Sequence, residues 1–262
     1  LPFPYPWRPE SQLNPALYFR ETLKQLLDEH GLDPLQDICG IMMETFQGWG
    51  AIFYPSEFVQ EVAKFAQEVG ALLAFDEMQS GFGRTGKLFG YMNYEVEPDL
   101  LCCGKGASSS LPLAIVLGST EIMDLPDIGS MSSTHSANPL VCASGHANLQ
   151  SLIEDGYIEN SYTLGLKFHE ELQKIRMQFP SSISSVEGKG LLAALIFVDN
   201  NGVPLSKLCD RISELCLQRG LLVVHTGRES IKLAPPLCIT EEAMLEGIAV
   251  FRQSISDALR SK

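Results

Sequence analysis

Short, unbroken apolar runs alternate with amphipathic segments along the first half of this chain. The runs predicted to be strands are Ile38–Met43, Ala71–Phe75, Asp99–Cys103 and Leu113–Gly118. Residues 15–33 and 56–70 have helical spacing, each with a glycine stop signal. Strands that are apolar on both faces and alternate with helices indicate a parallel sheet that is covered on both sides. The chain is therefore predicted to be an α/β protein with a mostly parallel sheet, whose ligand site lies at the carboxyl ends of the strands.

The second half of the chain has a looser pattern. Residues 138–172 have helical spacing over a length that could bridge two domains. After them, Leu191–Val198 and Leu221–His225 read as strands, and Leu205–Gly220 and Thr240–Ser261 read as helices. We therefore predict the C-terminal part of a large domain, with a partial sheet and a connecting helix, over residues 1–155 and a small C-terminal α+β domain over residues 156–262.

Composition narrows the function classes. The 262 residues carry 19 Lys+Arg against 32 Asp+Glu, a formal net charge of −13, which argues against a nucleic-acid binder. No apolar run is long enough to cross a bilayer, so no membrane partner is expected. The seven cysteines show no zinc-finger spacing, and the histidines show no metal spacing. These features predict free thiols, a cytoplasmic location and no bound metal.

Two of the predicted strands end at residues with distinctive chemistry. Asp76 follows the second run, and Lys105, with a glycine on each side, follows the third. Taken alone, Asp76 could be a helix cap or a loop carboxylate, and Lys105 could bind a phosphate, although no Walker sequence surrounds it. Together they match what pyridoxal 5′-phosphate (PLP) requires: an amine for its aldehyde and a carboxylate for its pyridine nitrogen.

Longer motifs support this interpretation. The run from Asp76 to Gly86 reads DEMQSGFGRTG, and it is followed by Pro98-Asp99 and Gly104-Lys105. Further along stand Ser133–Leu140 (STHSANPL) and Ile231–Leu237 (IKLAPPL). In this order the motifs resemble the class III aminotransferases, the family of ω-amino acid and 4-aminobutyrate type enzymes within PLP fold type I. The resemblance spans nearly the whole chain.

The resemblance implies a role for each matching residue. Lys105 would join the cofactor as a Schiff base and later move a proton at the substrate Cα, and Asp76 would face the pyridine nitrogen. Met78 would pack on one face of the ring, and Gln79 would bind the ring hydroxyl. Thr134 would bind the cofactor phosphate of a neighbouring subunit, which implies a homodimer with shared active sites. Arg84 would have a structural role.

Two positions depart from the family pattern. In Glu44–Gly50 (ETFQGWG), Glu44 is kept, but Trp49 stands where the family has a second glutamate. Lys232 stands where the family has an arginine that grips a substrate carboxylate. A lysine lacks the two-pronged fork that an arginine offers a carboxylate. The substrate-binding residues Glu44, Trp49 and Lys232 therefore indicate a site without the family's usual switch for glutamate, unless Lys232 merely points to solvent from an edge strand.

The predicted function is transfer of an amino group from an amine or ω-amino acid to a 2-oxo acid. Racemisation or decarboxylation by the same family of enzymes is one alternative, and a truncated, non-catalytic fragment is another. Family members are longer, and their N-terminal part supplies a phosphate-binding loop that does not match any part of this chain. We therefore expect these 262 residues by themselves to bind PLP poorly and to lack transaminase activity.

Overall fold

The computed structural model describes residues 1–260, which form two compact units. The first unit comprises Leu1–Phe46, Tyr54–Phe82 and Phe89–Asp155, and the second comprises Gln47–Phe53, Gly83–Leu88 and the chain from Gly156 onward. The regular elements up to residue 155 are α1 (Pro9–Leu13), α2 (Pro15–His30), α3 (Pro34–Asp37), β1 (Gly40–Glu44), β2 (Phe46–Gln47), β3 (Ile52–Phe53), α4 (Ser56–Val69), β4 (Leu72–Asp76), β5 (Leu100–Cys103), β6 (Ile115–Gly118), α5 (Thr120–Met123) and α6 (Pro139–Glu154). Those that follow are α7 (Tyr157–Gln178), β7 (Ser185–Lys189), β8 (Leu192–Ile196), α8 (Ser206–Gln218), β9 (Val224–His225), β10 (Ser230–Leu233) and α9 (Glu241–Arg260).

The sheet of the first unit has the strand order β1-β4-β5-β6. Strands β1, β4 and β5 are parallel, which confirms the predicted α/β fold, and β6 runs antiparallel to β5. The reversal follows from the connection between β5 and β6, because residues 104–114 contain only a 3₁₀ turn at Lys105–Ala107. A parallel neighbour would need a longer crossover, usually a helix.

Helices α2 and α4 pack together in the first unit. The ring of Phe19 on α2 meets the rings of Phe58 and Phe65 on α4 edge to face, with centroids 5.4 and 5.8 Å apart. Each helix ends at a glycine with left-handed backbone, Gly31 (φ 64°) and Gly70 (φ 70°), as the sequence predicted.

The second unit contains an antiparallel sheet with the order β7-β8-β10-β9. Every residue of β8 is buried. In the core of this unit, β8 packs against the apolar faces of α7, α8 and α9. The side chains of this core include Leu164, Phe168, Leu172, Leu195, Phe197, Ile212, Leu215, Ile248, Phe251 and Ile255. This cluster explains why the loosely patterned half of the chain still forms a compact α+β unit.

Three predictions for the second half need correction or completion. Residues 138–172 do not form one helix: α6 ends at Glu154, and α7 begins after Gly156, whose φ of 75° breaks the helix. The strand predicted at Leu221–His225 is reduced to Val224–His225. The last helix ends at Arg260 among the described residues, and Ser261 of the predicted Thr240–Ser261 helix lies outside them. Within residues 1–260 no helix has the length and apolar character to cross a membrane.

Candidate active site

The carboxyl ends of three parallel strands define the candidate site in the first unit. Glu44 at the end of β1 lies opposite Asp76 at the end of β4, and Asp76 lies opposite Cys102 on β5. Gly104 and Lys105 follow directly after β5. The fold therefore brings Glu44, Asp76 and Lys105 to one edge of the sheet, where parallel α/β proteins bind their ligands.

The side chain of Asp76 is fixed by its own turn. Its Oδ1 accepts a hydrogen bond of 2.9 Å from the backbone N–H of Met78. Asp76, Met78 and Gln79 are all half-buried, and the latter two lie in the turn that follows β4. Asp76, the last residue of β4, thus binds the turn that follows it through one carboxylate oxygen, and it stands at the strand end where a ligand would bind.

Gly104 allows Met78 to lie next to the lysine. A Cβ atom at position 104 would lie 2.3 Å from the Sδ of Met78, which is far closer than two such atoms can approach. Any larger residue at position 104 would therefore push the thioether away from the start of the Lys105 turn. The glycine that precedes Lys105 is therefore required by the close approach of Met78.

Lys105 is exposed, and its backbone has a φ of 43°, a left-handed value that is unusual for a residue other than glycine. Asn148 on α6 holds the turn: its Nδ2 donates to the carbonyl oxygen of Gly106 at 2.7 Å and to that of Ala107 at 3.2 Å. Strained backbone of this kind persists only where the surroundings hold it, and it clusters at functional sites.

A buried carboxylate beside the site was not predicted from the sequence. Glu77 has no exposed surface, and it accepts hydrogen bonds from the backbone N–H groups of Gly90 (2.8 Å) and Tyr91 (2.7 Å) and from the hydroxyl of Ser80 (2.5 Å). Burial raises the pKa of Glu77, and these hydrogen bonds oppose that rise. The signal that could have revealed it is the alternation of β4, which places Glu77 in step with the buried residues Leu73 and Phe75.

Two of the predicted substrate residues lie in the second unit. The Nζ of Lys232 donates to the carbonyl oxygen of Gly48 at 3.0 Å, and the hydroxyl of Ser230 donates to that of Trp49 at 2.9 Å. The guanidinium of Arg228 lies 4.2 Å from the centroid of the Trp49 ring, a cation–π contact that the sequence did not reveal. The edge-strand alternative for Lys232 is wrong, since β10 pairs with β8 on one side and with β9 on the other.

The remaining predicted residues are placed as follows. Thr134 is exposed in the turn that precedes α6. Arg84 belongs to the second unit, where its Nη1 donates to the carbonyl oxygens of Leu191 (2.9 Å) and Pro235 (2.6 Å). These contacts agree with the structural role expected for Arg84.

The side chains at the sheet edge fit the chemistry of PLP. An amine (Lys105), a carboxylate (Asp76), an amide (Gln79) and a thioether (Met78) occupy or follow two neighbouring strand ends, and Gly104 leaves space for the thioether. No group of His, Cys, Asp and Glu within residues 1–260 could hold a metal ion. The edge is therefore suited to an organic cofactor with an aldehyde and a basic ring nitrogen.

Comparison with known proteins agrees with the fold and identifies the family. The model of the family described as Aminotransferase class-III matches residues 2–255. The chain therefore belongs to the class III aminotransferases, a PLP-dependent family. The resemblance inferred from the sequence motifs is thereby confirmed, as is the α/β fold class.

Individual relatives align with most of this chain, and each of them is longer than it. An alanine/serine racemase of Pyrococcus horikoshii is 32% identical over 272 residues, which covers 100% of this chain and 57% of the relative. An acetylornithine aminotransferase of Caldanaerobacter subterraneus is 33% identical and covers 84% and 54%, respectively. The solved structure of an S-selective transaminase from Arthrobacter sp. superposes with a TM-score of 0.85 at 26% identity, covering 94% of this chain and 56% of that one. The chain thus spans about half the length of the relatives it matches.

Proposed function

We propose that the protein carrying this chain is a PLP-dependent aminotransferase that moves an amino group from an amine or ω-amino acid to a 2-oxo acid. The observation that carries the proposal is the placement of Asp76 and Lys105 at the ends of the neighbouring parallel strands β4 and β5, in a chain of the class III family. A coupled assay on the purified protein, with a panel of amines and 2-oxo acids, tests it. Absence of amino transfer from every donor would contradict it.

Each residue at the sheet edge would have a separate role in binding the cofactor or in catalysis. Lys105 would hold the cofactor through its aldehyde carbon and would then accept and return the proton at the substrate Cα. Asp76, oriented by the Met78 amide, would keep a proton on the pyridine nitrogen, and Gln79 would bind the ring hydroxyl. The thioether of Met78 would lie against the ring. When bound, the cofactor supplies an electron sink that makes the Cα proton acidic.

The contacts of Trp49 and Lys232 support a proposal about substrate choice. Lys232 donates to Gly48, and Arg228 covers the Trp49 ring, so both positions are engaged within the second unit. We infer that this enzyme does not use the arginine–glutamate switch with which many relatives admit glutamate. Lys232→Arg should then raise kcat/KM for 2-oxoglutarate relative to wild type, because arginine offers a two-pronged donor. Efficient glutamate and 2-oxoglutarate turnover through Lys232 itself would contradict the inference.

A stretch of the first unit that is rich in exposed apolar side chains supports a homodimer. Large apolar side chains with more than a third of their surface exposed cluster in residues 116–153: Val116, Leu117, Met123, Leu125, Ile128, Met131, Leu140, Leu149 and Ile153. Apolar patches of this kind are typical of protein interfaces. We infer that two copies associate through residues 116–153 and that Thr134, which lies within this stretch, binds the cofactor phosphate in the partner's site.

The location and the domain roles are also proposals. The seven cysteines are free thiols, which fits a reducing compartment such as the cytoplasm. We assign the first unit to the large PLP-binding domain and the second to the small C-terminal domain. The boundary at Asp155 and Gly156 supports this assignment, with the addition that residues 47–53 and 83–88 belong to the second unit.

Racemisation is the second candidate, because the named alanine/serine racemase matches the whole of this chain. The two activities differ in their need for a second substrate. A racemase inverts an amino acid without an acceptor, whereas an aminotransferase completes its cycle only with a 2-oxo acid. Chiral chromatography of alanine and serine after incubation without an acceptor separates them: inversion at a rate equal to that with the acceptor would favour the racemase.

A further inference from the structure

Glu77 lies between two residues of the proposed cofactor site. Asp76 precedes it and Met78 follows it, and both are half-buried, whereas Glu77 is 0% exposed. The alternation of the strand turns Glu77 to the face that carries Leu73 and Phe75, away from its two neighbours. A carboxylate on that face has no access to a ligand at the sheet edge, so any role in the site must act through Asp76 and Met78.

The backbone of Glu77 is tied on both sides. Its N–H donates to the carbonyl oxygen of Cys102 at 2.8 Å, which joins the end of β4 to the strand that leads to Lys105. Its carbonyl oxygen accepts from the N–H of Gly81 at 3.0 Å, which closes the turn holding Met78 and Gln79. The backbone at residue 77 therefore links the two strand ends that carry the proposed cofactor ligands.

The side chain anchors this linkage to a separate segment. Its carboxylate accepts three hydrogen bonds, from Gly90, Tyr91 and Ser80, and all three partners are donors. An ionised carboxylate can satisfy all three, because its two oxygens are acceptors only. A glutamine in its place would turn an NH₂ group toward at least one donor and would leave that donor without an acceptor in a buried site.

We propose that Glu77 is a positioning residue that holds Asp76 and Met78 in the orientation the cofactor site needs. Its carboxylate clamps the end of β4 to the Gly90–Tyr91 segment, and this clamp fixes the turn in which the Met78 amide meets Asp76. The inference rests on the proposed function for the roles of Asp76 and Met78. The clamp itself is a property of this chain and can be measured without cofactor.

The experiment compares Glu77→Gln with Glu187→Gln in the chain labelled at its methionine methyl groups and backbone amides. Glu187 is a suitable control, since burial raises its pKa too and it lies on β7 in the second unit. We expect Glu77→Gln to shift the methyl and amide signals of Met78, assigned with Met78→Leu. Hydrogen exchange of the Gly90 and Tyr91 amides should also become faster by about 5-fold or more, because the loss of one net hydrogen bond has an effect of that size. Glu187→Gln should leave these signals at their wild-type positions.

Ser80→Ala keeps the test decisive if Glu77→Gln does not fold. It removes one of the three donors, so it should move the Met78 signals in the same direction by a smaller amount. Unmoved Met78 signals in a folded Glu77→Gln or Ser80→Ala chain would overturn the proposal, even if stability fell, because a purely structural Glu77 would lower stability alone.

A second measurement separates this inference from the proposed function. PLP and borohydride are added to wild type and to Glu77→Gln, and the pyridoxyl group on Lys105 is quantified by mass analysis. Labelling of Lys105 that falls several-fold in Glu77→Gln supports both proposals, and equal labelling in the two proteins overturns the positioning role. If Lys105 stays unlabelled in the wild-type protein that carries this chain, the cofactor assignment fails, and the Met78 signals then decide the role of Glu77 by themselves.

Discussion

Asp76 lies at the end of β4, and one of its carboxylate oxygens accepts a hydrogen bond from the Met78 amide. Asp76→Asn preserves an oxygen acceptor for that amide but removes the charge that would hold the pyridine proton. We therefore expect amino transfer to fall on the order of 100-fold or more, with little change in stability. Kinetics together with urea unfolding measure the two effects.

Asp199 provides the matched control for this change. Its Oδ1 accepts from the backbone N–H groups of Asn201 and Val203, both at 2.8 Å, so it makes the same kind of turn in the second unit. Asp199→Asn should leave turnover unchanged. Equal activity of Asp76→Asn and Asp199→Asn would contradict the role given to Asp76.

His169 should make stability depend on pH. Its Nε2 is buried without a hydrogen-bond partner among the described residues, and burial lowers the pKa of the imidazole in the folded state. Below the unfolded-state pKa of about 6.5, the unfolded chain takes up a proton that the folded chain does not, so stability falls as pH drops through that value. The loss stops growing once pH is below the folded-state pKa.

Urea unfolding between pH 7.5 and pH 5 tests this linkage. His169→Gln removes the titrating group, so the free energy of unfolding should decline less over this interval than in wild type. Equal declines in the two proteins would show that other groups set the pH dependence.

Sequence patterns reached some of these residues and missed others for identifiable reasons. Asp76 and Lys105 were predictable because each follows an unbroken apolar strand, and parallel strands end at a common edge. Glu77 was missed because it belongs to the motif that follows the predicted strand. The alternation of buried residues in β4 nevertheless continues to Glu77. The contact of Arg228 with Trp49 depends on tertiary packing between distant segments, which a local pattern does not carry.

At the level of single elements, the start of α6 should depend on Asn138. Its Oδ1 accepts from the backbone N–H groups of Leu140 (3.0 Å) and Val141 (3.4 Å), which would otherwise lack partners in the first turn. Asn138→Ala should lower the free energy of unfolding by about 1 kcal/mol. Urea unfolding measures the change.

Ser119, which precedes α5, makes no capping hydrogen bond through its side chain and serves as the control. Ser119→Ala should change stability by less than about 0.5 kcal/mol. If the two alanine variants were equally stable, the Asn138 cap would contribute nothing.

The elements were predicted best where one local rule dominated. Helices α2 and α4 end at the glycines expected, and the apolar runs form β1, β4, β5, β6 and β8. The break between α6 and α7 was missed, because apolar spacing continues on both sides of Gly156. Strand β7 (SVEGK) was missed because it has a single large apolar residue. It is stabilised by its pairing with β8 rather than by a pattern of its own.

For the whole molecule, burial should divide the cysteines into two classes. Cys39, Cys142 and Cys238 are exposed, whereas burial raises the pKa of Cys103 to about 11 and that of Cys209 to about 12. A thiol reagent at pH 7.5 should therefore modify Cys39 and Cys238 quickly and leave Cys103 and Cys209 unmodified until urea unfolds the chain. Peptide mass analysis over time measures this, and modification of Cys209 as fast as Cys238 would contradict the packing of the second unit.

The alternation of apolar strands and helices in the first half of the chain predicted the α/β class of the first unit. It did not reveal that residues 47–53 and 83–88 belong to the second unit. Such membership depends on contacts like those of Arg84 with Leu191 and Pro235, which join segments far apart in sequence. Charge and hydropathy patterns along the sequence do not predict such contacts.

Every other role proposed for the site depends on Lys105 being the amine that binds PLP. Borohydride reduction of the protein in the presence of PLP, followed by peptide mass analysis, tests this role of Lys105. We predict a pyridoxyl group on Lys105 well above the level on any other lysine, even at low occupancy, and its loss in Lys105→Ala. Equal labelling of Lys105 and of exposed lysines away from the site, such as Lys64 on α4, would contradict the claim.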